Sequence, residues 1–234
     1  MADLDASTPR VFIARHGETE WTKNGRYTGN TELELTTDGI AQVSGTGSHL
    51  VGSGKLIDPA RVVKVFVSPR KRAQQTFNLL FESSGLSLGD EKVELKEDVA
   101  EWDHGMYEGW LGSEIRQSRK KRGIVGAHGE EEWSIWRDGC EDGESPQQVT
   151  ERLDRLIAKI RALQRPHMDG SKAADVVVVA HGMSLRCFVK RWLGYPLDAP
   201  LAMMLSPGAI GILSYMKHDI EQPAFFVGMS LPPA

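Results

Sequence analysis

Four consecutive valines, at positions 176–179, constrain the fold of this chain more than any other part of its sequence. A strand that is apolar at every position has no face for solvent, so it must be covered on both sides. Similar runs occupy positions 10–16 and 61–69, the second interrupted by one lysine. Such strands are typical of parallel sheets with helices on both faces, so they predict an α/β fold.

Helical patterns separate these strands. The clearest covers positions 145–164, where Ser145 and Gln148 form a capping box and Pro146 suits the first helical position. Further helices are predicted at 36–51, at 68–81 with Ser68 as its N-cap, and immediately after His181. Further strands are predicted at 208–216 and, more weakly, at 92–99 and 223–230. We therefore expect a three-layer α/β/α sandwich around a mostly parallel sheet, as one domain over 10–234 after a flexible tail at 1–9.

The composition narrows the possible partners. A formal net charge of -4 and a pI near 6.0 argue against nucleic-acid binding through bulk charge. There is no signal-like start and no long apolar run, so we expect a cytoplasmic protein without a membrane partner. Two cysteines are too few for a disulfide framework. The oligomeric state stays open.

Two of the predicted central strands end on basic residues followed by glycine. Arg15, His16 and Gly17 end the first strand, and His181 and Gly182 end the strand that contains the valines. Ligands of α/β sheets bind beyond the carboxyl ends of the strands. Each glycine would let a backbone N–H group approach a ligand. Arg72, in the first turn of the helix after Ser68, would lie at the same rim, so the pattern predicts an electropositive site for a phosphate.

This set of residues fits phosphoryl transfer. A neutral imidazole can attack phosphorus and form a phosphohistidine, while arginines stabilise the charge of the transferred group. Glu101, Asp103 and Glu108 lie beside aromatic residues and include candidates for the acid that protonates a leaving alkoxide. Two histidines with an acidic residue could instead bind zinc, but neighbouring arginines would repel a divalent cation. We therefore expect no metal and no cofactor.

Five stretches, in this order along the chain, resemble the motifs of the histidine phosphatase (phosphoglycerate mutase-like) superfamily: ARHGETEW, SPRKRAQQT, VAEWDHGMYEG, DGES and VVVVAHG. The resemblance covers about positions 11–215. It implies that His16 accepts the phosphoryl group and that Glu101 donates the proton. It also implies that Arg15, Arg72 and His181 bind the transferring phosphate. Val99 stands where the superfamily usually has leucine.

Within the superfamily, positions 19–39, 100–109 and 135–148 are most similar to the fungal sedoheptulose-1,7-bisphosphatases. This resemblance implies a phosphatase for a small phosphorylated metabolite, with sedoheptulose 1,7-bisphosphate as the first candidate. The segment at 192–206 is shorter here than we expect in those enzymes. The alternatives are mutase-type phosphoryl transfer, another phosphorylated metabolite, and a binding module that has lost turnover.

Other residues are candidates for contacts with the substrate. The loop after the nucleophile, which the resemblance places at the pocket, contributes Thr22, Tyr27, Thr28 and Gly29. His104 could contact the substrate or cap a turn. Arg137 and the basic run at 116–123 could hold a second phosphate, although such a run is more often a solvated helix face.

Overall fold

The computed structural model of the protein describes residues 8–126, 129 and 132–227. Within them, six strands form one sheet in the order β3-β2-β4-β1-β5-β6. Their bounds are Val11–Arg15 (β1), Val62–Val67 (β2), Val93–Leu95 (β3), Asp175–Ala180 (β4), Ile210–Tyr215 (β5) and Pro223–Phe225 (β6). Neighbours among the first four strands are parallel, whereas β5 is antiparallel to β1 and β6 to β5. The prediction of a mostly parallel sheet is confirmed, although residues 228–230 of the last predicted strand lie outside the described ones.

Seven α-helices are described in these ranges. Their bounds are Glu20–Asn24 (α1), Thr37–Leu50 (α2), Lys71–Leu80 (α3), Gly112–Lys121 (α4), Ile135–Asp138 (α5), Pro146–Gln164 (α6) and Gly182–Trp192 (α7). The capping box of Ser145 and Gln148 starts α6 as predicted. Short 3₁₀ turns cover Glu97–Val99, Gly105–Tyr107, Arg165–His167 and Met216–His218. None of the described helices has both the length and the apolar character that a membrane crossing requires.

Alternate residues of the central strands point into two separate cores. Val176 and Val178 pack with α6 and α7 on one face of the sheet. Val177 and Val179 pack with α2 and α3 on the other. The valine run is therefore buried on both sides, and the three-layer α/β/α sandwich predicted from it is confirmed.

Two local predictions need correction. Ser68 does not cap α3: the N-cap is Arg70, which makes no side-chain capping bond, and the Ser68 hydroxyl bonds to His181 instead. The predicted flexible tail at 1–9 lies outside the described residues up to position 7, but Thr8 and Pro9 are buried. The Ser214 hydroxyl donates to the carbonyl of Pro9, which ties this segment to β5.

Candidate active site

The carboxyl ends of the adjacent strands β1 and β4 bring two histidines together. Arg15 pairs with Ala180 in the parallel register, and the next residues are His16 and His181. The backbone N–H of His16 donates to the carbonyl of Ala180 (2.9 Å), and the two imidazole centroids lie 5.1 Å apart. The sequence prediction that both imidazoles meet at one edge of the sheet is therefore confirmed by the geometry.

His16 is held as a neutral imidazole. Its Nδ1 lies 2.7 Å from the carbonyl oxygen of Gly17; since a carbonyl only accepts, Nδ1 carries the proton and Nε2 keeps its lone pair. Burial lowers the pKa of His16 to about 3, and Arg72 and then Arg15 add to this effect, against the bond to Gly17. Nε2 of His16 has no hydrogen-bond partner within the described part of the chain. The residue thus presents an unprotonated nitrogen.

Both ring nitrogens of His181 are already occupied. Its Nδ1 accepts from Nε of Arg72 (3.1 Å), so Nε2 carries the proton and donates to the Ser68 hydroxyl (2.6 Å). Burial, followed by the charge of Arg72, lowers the pKa of His181 well below its ordinary value. His181 is therefore a second neutral imidazole, fixed in orientation at the N-terminus of α7.

Arg15 keeps part of its hydrogen-bonding capacity unused. Its Nη1 donates to the carbonyl of Leu205 (2.7 Å), whereas its buried Nε has no partner. The guanidinium lies against Gly182, where an added Cβ would come 3.2 Å from Cζ of Arg15. Burial lowers the pKa of Arg15 while Glu101 raises it, and arginine stays protonated in either case.

Arg72 lies behind the histidines rather than in the cavity lining. It is fully buried, and its two Nη atoms donate to the carbonyls of Thr28, Gly29 and Thr31 at 3.0–3.1 Å. Together with the bond to His181, these contacts use most of the N–H groups of the guanidinium. In this arrangement Arg72 links the loop after the nucleophile to the second histidine.

Two of the candidate glycines have packing roles. The N–H of Gly17 donates to the hydroxyl of Thr76 (3.0 Å), and a Cβ there would lie 2.7 Å from Val43. The N–H of Gly29 donates to the carboxylate of Glu108 (2.9 Å). Neither glycine lines the cavity, so two expectations are corrected: that Gly17 offers a free N–H group to a ligand, and that Gly29 lines the pocket.

Glu101 is buried in the cavity wall with its carboxylate fixed by the backbone. Oε1 accepts from the N–H groups of Ser184 (2.7 Å) and Trp102 (3.0 Å). Oε2 accepts from the N–H of Met183 (3.0 Å). The first turn of α7 therefore holds the carboxylate beside the two strand ends, as helix N-termini hold anions in general.

A cavity of about 250 Å³ joins these groups. Eight of the residues predicted from the sequence line it: Arg15, His16, Thr22, Tyr27, Thr28, Glu101, His104 and Gly182. Gly25, Arg26, Met183 and Arg186 also line it and were not predicted. His104 is buried with its ring 4.8 Å from that of Tyr27, and burial lowers its pKa.

Arg186 is the most informative residue that the sequence analysis missed. It lies four residues after Gly182 on α7, so it faces the same side of the helix. Its Nη1 makes a weak contact with the sulfur of Met183 (3.9 Å), and it forms no ion pair within residues 8–126, 129 and 132–227. The helical spacing from Gly182 was the signal that could have identified it.

The two predicted sites for a second phosphate are not part of this cavity. Nε and Nη2 of Arg137 donate to the carboxylate of the adjacent Asp138 (3.0 and 2.9 Å). In the basic run, Arg119 and Arg122 bind Glu141 (2.8 and 2.7 Å). Positions 116–121 of the run lie in α4, and Arg119 and Arg122 are used in these structural contacts. The described residues contain no group of three or more His, Cys, Asp or Glu side chains placed to hold a metal ion.

Comparisons with known proteins agree with this geometry. The family model described as histidine phosphatase superfamily (branch 1) matches residues 11–224. A sedoheptulose 1,7-bisphosphatase of Saccharomyces cerevisiae is 38% identical, over 94% of this chain and 93% of its own. An acid phosphatase of Mycobacterium tuberculosis is 36% identical, over 92% and 90%. The solved structure of an open reading frame from Mycobacterium tuberculosis superposes with a TM-score of 0.71 at 30% identity, covering 94% of this chain and 96% of that one.

Proposed function

Since the chain belongs to the histidine phosphatase superfamily (branch 1) and is a phosphoric monoester hydrolase of that type, we propose that it hydrolyses a sugar bisphosphate through a phosphohistidine at His16. The proposed substrate is sedoheptulose 1,7-bisphosphate, and the reaction uses no metal ion. One observation carries the proposal: Nε2 of His16 keeps its lone pair in a cavity lined by Arg15, Arg26 and Arg186.

In the first step, Nε2 of His16 attacks the phosphorus atom of the ester. The N–P bond forms as the P–O bond to the sugar breaks, and the sugar oxygen leaves with the bonding electrons. A nucleophile must be unprotonated, and the lowered pKa of His16 keeps it so at neutral pH. In the second step, water attacks the phosphohistidine, inorganic phosphate leaves and the imidazole is restored.

The phosphate oxygens need cationic donors during both steps. Arg15 has an unused Nε–H group beside His16, so it binds the transferring phosphate directly. His181 already bonds to Ser68 and to Arg72. Arg72 and His181 therefore bind the phosphate only if they give up hydrogen bonds that they make in this structure. A bound phosphate would therefore replace the Ser68 hydroxyl as the acceptor of the Nε2–H of His181.

Glu101 is the proposed acid and base. It protonates the sugar oxygen as the P–O bond breaks, and its carboxylate then accepts a proton from the attacking water. Its three backbone donors hold it in the cavity that also contains His16.

Arg186 and Arg26 supply the site for the second phosphate. Both line the cavity that contains His16, and Nη1 of Arg26 is also bonded to the carbonyl of Gly109 (2.6 Å), which holds its side chain in place. Arg186 has no carboxylate partner among the described residues, so it can pair with an anionic group of the substrate. The name of the yeast relative supports a seven-carbon bisphosphate as that substrate.

Phosphate release from a panel of esters in the presence of EDTA tests this proposal. The panel contains sedoheptulose 1,7-bisphosphate, fructose 1,6-bisphosphate, the corresponding monophosphates, 3-phosphoglycerate and p-nitrophenyl phosphate. We expect the highest kcat/KM for the seven-carbon bisphosphate, no turnover in His16→Ala, and acid-labile phosphoprotein in quenched wild-type reactions. Interconversion of phosphoglycerates without phosphate release would instead identify a mutase.

The Arg186→Met variant tests the second-phosphate site separately. Methionine keeps much of the apolar contact but removes the charge, so KM for the bisphosphate should rise at least about tenfold. The kinetics with p-nitrophenyl phosphate should stay unchanged, because this ester has no second phosphate. Arg165→Met is the matched control, since Arg165 is paired with Glu221 at the surface. Equal effects on both substrates would contradict the assignment.

A further inference from the structure

A partly buried ion pair, between Arg152 and Glu144, lies outside the cavity and holds the backbone on both sides of Glu101. Arg152, on α6, is 7% exposed. Its Nη1 donates to the carbonyls of Asp98 (2.8 Å) and Ala100 (2.9 Å), which lie three positions and one position before Glu101. Its Nε and Nη2 donate to the two carboxylate oxygens of Glu144 (2.7 and 2.9 Å).

Glu144 holds the backbone that follows Glu101. Its Oε2 accepts from the N–H of Asp103 (2.9 Å), and its own N–H donates to the carbonyl of Asp103 (2.9 Å). Its carbonyl accepts from the indole N–H of Trp102 (2.9 Å). With Arg152, it fixes the chain at positions 98, 100, 102 and 103, while Glu101 projects between them into the cavity.

We propose that Arg152 and Glu144 are positioning residues for proton transfer by Glu101. Neither lines the cavity, so they act through the backbone rather than on the substrate. An acid must lie within hydrogen-bond distance of the leaving oxygen, and a misplacement of about 1 Å can cost about a hundredfold in rate. The inference rests on the proposed role of Glu101 as proton donor.

The chemistry of the pair favours positioning over simple stabilisation. Apolar side chains of similar volume often stabilise a fold as well as a buried ion pair does. They could not, however, bond to two carbonyls and an N–H group on either side of one residue. The planar guanidinium of Arg152 makes four bonds at once, two to the carbonyls of Asp98 and Ala100 and two to the carboxylate of Glu144, which fixes a geometry that lysine could not reproduce.

The dependence of the rate on the leaving group tests this role. We would compare kcat/KM for the best sugar phosphate of the panel with kcat/KM for p-nitrophenyl phosphate, whose leaving group needs little protonation. The ratio of the two should fall by about a hundredfold or more in Glu101→Gln. It should fall about tenfold in Glu144→Gln and in Arg152→Met. A variant that is only less stable would lose activity on both substrates and keep the ratio.

Asp154→Asn is the matched control. Asp154 lies on the same helix and accepts from Nε of Arg191 (2.8 Å) on α7, so its variant breaks an ion pair away from Glu101 and should leave the ratio unchanged. If a single variant fails to fold, the double change Arg152→Met with Glu144→Leu removes both charges together and should fold with a lowered ratio. A wild-type ratio in these variants, with a lowered ratio in Glu101→Gln, would overturn the inference alone. A wild-type ratio in Glu101→Gln would overturn the proposed proton donor, and this inference with it.

Discussion

Replacing His16 with asparagine should make the folded protein more resistant to acid. The pKa of His16 is about 3 in the folded chain, against 6.5 for an ordinary histidine. Between these values the unfolded chain binds a proton that the folded chain does not. The stability associated with a neutral His16 is therefore complete above pH 6.5 and is lost as the pH falls toward about 3. The loss is about 1.4 kcal/mol per pH unit, or about 3 kcal/mol between about pH 7.5 and pH 4.5.

Urea denaturation followed by the fluorescence of the six tryptophans measures this effect. Wild type and His16→Asn would be unfolded at about pH 7.5 and about pH 4.5. The difference between the two pH-dependent losses measures His16 together with its effect on His181, whose pKa the charge of His16 also lowers. We expect wild type to lose about 3 kcal/mol more than the variant. His49→Asn, at an exposed position of α2, controls for the substitution itself. Parallel losses in wild type and His16→Asn would refute the reasoning that burial and the nearby arginines hold His16 neutral.

Three further predictions concern the rest of the site. Turnover should survive EDTA because guanidinium groups meet the charge of the phosphate, and activity that is lost and then restored by zinc would contradict this. The Gly182→Ala variant should lose about tenfold or more in kcat/KM, since its Cβ would lie 3.2 Å from Cζ of Arg15. Gly45→Ala, where a Cβ meets nothing within 4 Å, should keep full activity, and equal rates in the two variants would count against the contact. The Ser68→Ala variant should lose about 1–2 kcal/mol of stability in urea denaturation, because the buried Nε2–H of His181 would lose its acceptor; an unchanged midpoint would show that another group accepts it.

The predictions from sequence succeeded where a structural feature depends on residues that are close together in the chain. An apolar run that is buried on both faces specifies a central parallel strand, and the strand end specifies the edge at which His16 and His181 meet. The capping box at Ser145 succeeded for a similar reason, since its two bonds join residues three positions apart. In each case the feature depends on interactions within a few residues, so the pattern can be recognised in a single sequence.

The predictions failed where partners are distant in the chain. Ser68 is followed by Pro69, a pattern that is typical of a helix N-cap. The hydroxyl of Ser68 instead bonds to His181, which lies 113 positions away. No spacing rule predicts this competition for the Ser68 hydroxyl, because a tertiary contact decides it. The prediction for Arg137 failed for a different reason: its guanidinium is bonded to the carboxylate of the adjacent Asp138, and the sequence alone does not determine whether two neighbouring charged side chains bind each other.

The structure also gives a reason for the proposed nucleophile and the proposed phosphate-binding groups to occur together. Burial is the largest cause of the lowered pKa of His16, and Arg72 and Arg15 are the next charges that lower it. The positive potential that keeps the imidazole unprotonated is therefore the same potential that attracts a phosphate dianion. Once phosphate is bound, its negative charge offsets that potential, but the nitrogen is then directed at phosphorus and no longer open to a proton from solvent. Before the substrate binds, the arginines help to keep His16 unprotonated. The bound phosphate then supplies the negative charge that balances the charge of the arginines.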